Sequence, residues 1–211
     1  ATQECAVLFV PDVARSLIGH LVGAVSGGAL YRKASFLLDS VGQRLFPAWF
    51  NIVELPHIKR GAGSSAFDAE GVATVDRELI RDGVLARYIL GSYSARKLGL
   101  ESTGNAGGIH NLMVSTNGGD FADMLQRLGT GFLVTELMGQ GVNTVTGDYS
   151  RGASGFWVEN GVIAYPVDEV TIAGQLRDMF QRIVAVGSDI DRRGSILTGS
   201  ILLEKMMVAG S

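Results

Sequence analysis

Between residues 131 and 174 the chain runs through "GFLVTELM", "VNTVTGDYS", "GASGFWVEN", "GVIAYPV" and "EVTIAG", five strand-like segments punctuated by Gly-Asp, Arg-Gly and Asn-Gly steps. Short runs rich in β-branched and aromatic residues, joined by residues that tolerate positive φ, read as an antiparallel meander. Asn160-Gly161 marks a tight hairpin, because a primed turn needs positive φ at both central positions. A meander of that length must close or pair its edges, since an open edge leaves a row of N–H and C=O groups free. The 29 glycines, against only 4 prolines, are scattered among strand-like runs and form no low-complexity tract, which excludes collagen and disordered linkers.

The remaining segments supply helices and further strands. "CAVLFV" (5–10) is a β-rich apolar run, and Pro11-Asp12 opens a helix to about Val25 with Val13, Leu17, Leu21 and Ala24 on one face. Gly19 and Gly23 weaken that helix or permit close packing, and "SGG" (26–28) ends it. Asp82-Gly83, between Val72–Ile80 and Leu85–Leu90, predicts a second hairpin. "SYSARKLG" (92–99) and "DFADMLQRLG" (120–129) read as helices capped by Gly99 and Gly129. "QLRDMFQRIVAVG" (175–187) reads as an amphipathic helix with Leu176, Met179, Phe180 and Ile183 on one side, and 195–210 as two strands. No repeat and no Pro/Ser-rich linker divides the chain, so residues 1–211 are expected to form one α+β domain with a strongly curved, barrel-like antiparallel sheet and several short helices.

Composition removes several functions. A net charge of −3 provides no long-range attraction to nucleic acid or anionic lipid, and no run approaches the roughly 18 apolar residues of a membrane span. Cys5 is the only cysteine, so an intramolecular disulfide and a multi-Cys metal site are excluded, and a reducing compartment is expected. The start "ATQECAVLFV" has neither the charged region nor the cleavage site of a signal peptide, and it lacks Met, as a fragment or processed piece would.

Candidate chemistry is sparse. His20, His57 and His110 fall on a helix and two separate loops, with no ligand spacing between them. Ser150, His110 and Asp148 have the residue types of a triad but no nucleophile elbow, and Cys5 reads as a small buried thiol. The glycine-rich loops "AVSGGAL" and "GNAGGIHN" lack the spacing of a phosphate cradle. "YRK" (31–33) and "DRR" (191–193) read as solvated surface or partner contacts.

The stretch "TELMGQGVNTVTGDYSRGASGFWVENGVIAYPVDEVTIAG" (135–174), with "GHLVGAVSGGALYRK" (19–33), "GSYSARKLGL" (91–100) and "GIHN" (108–111), resembles the TldD/PmbA family, also described as modulators of DNA gyrase. The likeness spans essentially all 211 residues. It implies the C-terminal half of a PmbA-type subunit, without the family's N-terminal α/β domain. Such a subunit is cytoplasmic and pairs with a TldD-like zinc peptidase subunit that acts on unfolded or leader-bearing peptides. In that partner the catalytic helix carries H-E-x-x-x-H, which falls here on "RSLIGH", so Arg15 replaces the first His, Ser16 replaces the Glu and His20 alone remains. A guanidinium cannot ligate a cation and a hydroxyl is no carboxylate base.

The partner's third ligand, a cysteine, falls in "SILTGS", with Thr198 in its place. The resemblance therefore implies no catalytic residue, metal or cofactor in this chain. Zinc is expected only in the partner, and the role left to this chain is scaffolding and substrate holding. Backbone pairing of a sheet edge with an extended peptide is one way to hold substrate. His20, Gly107, Gly108, His110, Tyr149 and Arg151 are the residues expected to face peptide or partner. The alternative is a non-proteolytic protein that modulates gyrase or another target.

Overall fold

In the computed structural model, which describes residues 2–210, β1 (Gln3–Phe9) leads into α1 (Pro11–Ala24) and the short α2 (Gly27–Tyr31). Next come β2 (Ile52–Glu54), β3 (Arg77–Arg81), β4 (Val84–Leu85), α3 (Ser92–Leu98), β5 (Leu112–Val114) and α4 (Phe121–Leu128). The chain continues through β6 (Gly131–Met138), β7 (Asp148–Glu159), β8 (Val162–Gln175), α5 (Leu176–Gln181), β9 (Ile183–Val186), β10 (Ile196–Leu197) and β11 (Ile201–Ala209).

The meander supplies three sides of a closed barrel. β6, β7 and β8 pair antiparallel in sequence, β8 pairs with β11, and β1 lies between β11 and β6, so the order β1-β6-β7-β8-β11 returns to β1. The β1–β6 pair is parallel, a departure from an all-antiparallel sheet. Closure removes the edges that an open meander would expose. β9 joins outside the ring, on the Ile201–Leu203 end of β11.

Alternation along the strands sends residues to two cores. Val7 and Phe9, Phe132 and Val134, Tyr149 and Ala153, Val170 and Ile172, and Ile201 and Leu203 belong to one cluster. Leu8, Leu133, Val158 and Leu202 belong to another, with Met124 and Leu128 of α4. A ring of five strands has no room for a helix inside, so α4 marks the outer face and the larger cluster fills the interior. That cluster runs on through Leu17, Ile18 and Leu21 of α1 to the second sheet, whose order is β10-β5-β2-β3-β4. Stacked Phe46, Phe50 and Phe180, with centroids 4.3 and 4.8 Å apart, join the parts.

Three expectations are corrected. The five strand-like runs make three strands: Arg151-Gly152 lies inside β7 and Asp168-Glu169 inside β8, where Glu169 at φ 53 lies close to a register shift that bends the strand without ending it. The predicted helix over 175–187 stops at Gln181, and Ile183–Val186 is strand β9, because pairing with β11 outweighs local helical periodicity. α1 ends at Ala24, just ahead of "SGG", whose two glycines open α2, and added Cβ atoms at Gly19 and Gly23 would meet nothing within 4 Å, so neither glycine serves close packing.

Candidate functional site

Helix α1 positions the residues that the family pattern singles out. Pro11 starts it, its fixed φ being compatible with a first helical turn, and Ala14, Leu17, Ile18, Leu21 and Ala24 bury one face. Arg15, Ser16 and His20 are left on the partly exposed flanks. Arg15 pairs with Asp12 one turn earlier and with Asp191 at 3.1 Å. Asp191 also accepts from the Arg193 side chain and backbone N–H, each at 2.9 Å. The Arg193 hydrogen bonds, first from its side chain and then its backbone, hold the Asp191 carboxyl down to about 2, with the charges of Arg15 and Arg193 adding to the effect.

Ser16 donates its hydroxyl hydrogen to the Val13 carbonyl at 2.7 Å. Thr198 is fully buried, its hydroxyl donates to the Gly199 carbonyl at 3.0 Å, and its own carbonyl accepts from the Asp191 N–H at 3.1 Å. Arg15, Asp191 and Thr198 therefore meet through the 191–198 segment. Among the described residues, no three His, Cys, Asp or Glu side chains converge as metal ligands would.

His20 sits apart from Arg15, against the barrel. Its ring meets Tyr149 edge-on with centroids 5.9 Å apart, and its Nε2 is buried with no hydrogen-bond partner. Burial, with the Arg151 charge adding to it, lowers the His20 pKa below the ordinary imidazole range and favours the neutral ring. Burial likewise pushes the Tyr149 phenol up to about 12, opposed by Arg151. Tyr149, Arg151 and Ala153 alternate on β7, which puts all three on the barrel's inner face. The structure thus brings His20, Tyr149 and Arg151 together.

The other expected residues lie elsewhere. Gly107 and Gly108, at φ 94 and 122, are exposed in the loop before β5. His110 is 8% exposed, with Nδ1 3.2 Å from the Gly63 carbonyl and Nε2 3.0 Å from that of Gly104. His57 meets the Thr74 hydroxyl at 3.0 Å. The Cys5 thiol is half-buried, and burial pushes its pKa up.

Sequence reasoning missed the ion network under the second sheet. Glu54, 2% exposed, receives Arg87, the Asn105 amide at 2.8 Å and the His110 backbone N–H at 2.7 Å. Nothing local marks this set, because its members come from distant parts of the chain. A Glu in the apolar run "NIVELP" was the one available sign.

A closed barrel backed by α1 and a small second sheet is the architecture of a metallopeptidase-family C-terminal domain, and solved structures share it. A candidate modulator of DNA gyrase from Bacteroides thetaiotaomicron superposes at TM-score 0.95 with 30% identity, over 100% of this chain and 48% of that one. TldE from Thermococcus kodakarensis has the same fold at TM-score 0.87 with 24% identity, over 99% of this chain and 51% of that one.

The chain belongs to the PmbA/TldD family: residues 2–210 match the family's PmbA/TldA metallopeptidase C-terminal domain. It is 57% identical to metalloprotease PmbA of Escherichia coli O157:H7 over 210 residues, and 57% identical to the PmbA homolog of Haemophilus influenzae over 212. Each alignment covers 100% of this chain and 47% of the relative, so the chain spans about half the length of these relatives.

Proposed function

We propose that this chain is the barrel domain of a non-catalytic subunit in a zinc peptidase complex, scaffolding the assembly and holding unfolded or leader-bearing peptides for a TldD-like partner in the cytoplasm. The observation that carries the reading is the state of the motif position on α1. Arg15 is tied to Asp12 and Asp191, Ser16 is spent on a helix carbonyl, and His20 points away to Tyr149. Zinc takes imidazole, thiolate and carboxylate donors in a tetrahedral set, and one imidazole with a guanidinium, a hydroxyl and Thr198 does not fit it. The metal and the base that activates water then belong to the partner. Among the described residues no helix is long and apolar enough to cross a membrane.

Reconstitution tests this division. The intact protein and a TldD-type subunit are assayed separately and mixed on an unfolded peptide, with cleavage followed by mass spectrometry. The mixture should cleave faster than the sum of the separate rates, with the isolated PmbA-type protein inactive. Cleavage by that protein alone, lost on His20→Ala, would reverse the assignment. The description of solved relatives as candidate gyrase modulators favours a second reading, a non-proteolytic interaction protein, which absence of cleavage in every combination would select.

A further inference from the structure

Among the described residues, Arg151 is a cation without a counter-ion. Its Nε is buried with no hydrogen-bond partner, and among the described residues no carboxylate lies within ion-pair distance of its guanidinium. Arg87 supplies the contrast. Its Nε is also sealed, yet its other nitrogens reach Glu54, the Tyr88 carbonyl at 3.1 Å and Asn105 at 3.2 Å.

Two further polar groups beside Arg151 are unspent. Among the described residues, the buried His20 Nε2 has no partner and the Tyr149 hydroxyl makes no hydrogen bond, although Tyr149 is only 2% exposed. Only the Nε of Arg151 is sealed, so its terminal nitrogens remain open to a ligand, and the Tyr149 hydroxyl beside them is not fully sealed although its residue is buried. Holding a guanidinium partly out of water without a partner is costly, and a planar anion that accepts two parallel N–H bonds relieves that cost.

We infer that Arg151 and the Tyr149 hydroxyl form a receptor for a carboxylate, with His20 packed behind it. The site offers one formal positive charge while the His20 ring is neutral, which matches a monoanion and not a phosphate dianion. This rests on the peptide-holding reading, under which the carboxylate is a peptide C-terminus or an acidic side chain of the partner subunit. His20 then acts as a reporter. A carboxylate on Arg151 cancels the repulsion that disfavours the charged imidazole, so the His20 titration midpoint rises when the site fills.

The experiment is an NMR titration of His20 in the intact protein, with its resonance assigned by His20→Gln. The probes are N-acetyl-alanyl-alanine, its C-terminal amide, and the TldD-type subunit. The free acid should raise the His20 midpoint saturably, the amide should not, and Arg151→Gln should weaken the binding about tenfold or more. Tyr149→Phe keeps the ring and should weaken it about threefold. Arg151→Lys keeps the charge, should retain part of the response, and guards against a misfolded glutamine variant. A rise seen only with the partner, and lost in Arg151→Gln, assigns the carboxylate to the partner and supports the receptor.

No rise with either source, or an equal rise in Arg151→Gln, overturns it. Peptide cleavage by the mixed subunits is measured in parallel. Cleavage that persists without any carboxylate response sinks the receptor and leaves the subunit role standing.

Discussion

Asp191 organises the stretch where a metal site would otherwise be sought, because it holds Arg15 and Arg193 at once. Its folded pKa of about 2 lies below the unfolded value of about 3.9. The charged form is thus favoured by folding, and the stability it contributes is present above about pH 4 and lost as the pH falls toward 2. Asp191→Asn should therefore melt below the wild type at neutral pH, with the gap closing as the pH falls through that window. A gap that does not change with pH would contradict this. Glycine acts at the same scale through space alone at Gly155, where an added Cβ would stand 1.9 Å from the Leu133 carbonyl oxygen across the β6–β7 register shift. Gly155→Ala must push two paired strands apart and should cost about 3 kcal/mol in urea unfolding, in the range for overpacked interiors.

Elements were legible where local chemistry decides them. Asp82 and Gly83, at φ 49 and 78, make the expected primed turn, as do Asn160 and Gly161 at φ 51 and 75. Gly99 caps α3 in the left-handed conformation and Gly129 closes α4, whereas the Asp120–Asp123 capping box that starts α4 was not among the expected features. Legibility failed where a distant strand decides. Ile183–Val186 has a helix's spacing but is captured by β11, and Arg151-Gly152 inside β7 resembles a turn signal while the neighbouring strands keep the chain extended. The Glu54–Arg87 pair was invisible for the same reason, since its partners lie 33 residues apart, one at the end of β2 and the other in the loop after β4. Glu54→Gln leaves Arg87 buried without its anion and should cost about 3–5 kcal/mol, read from the shift in chemical-denaturation midpoint. A loss under about 1 kcal/mol would mean that water, not Glu54, satisfies Arg87.

Across the whole molecule, the curved, barrel-like sheet was readable from the glycine-punctuated meander, but the strands that close it were not, because β1 and β11 come from opposite ends of the chain and meet only in three dimensions. The site divides similarly. The degenerate positions Arg15, Ser16 and His20 were visible by resemblance, whereas their separation into an Asp191-bound arginine and a Tyr149-packed imidazole depends on the barrel lying beside α1. Gly107, Gly108 and His110 lie in the loop before β5, whereas His20, Tyr149 and Arg151 meet where α1 faces β7. The division of labour between subunits is tested most directly by the zinc content of the purified PmbA-type protein, measured by mass spectrometry after dialysis against zinc. We expect substoichiometric metal that does not respond to His20→Ala. Equimolar, tightly held zinc that disappears in His20→Ala would place the metal, and with it the chemistry, in this chain.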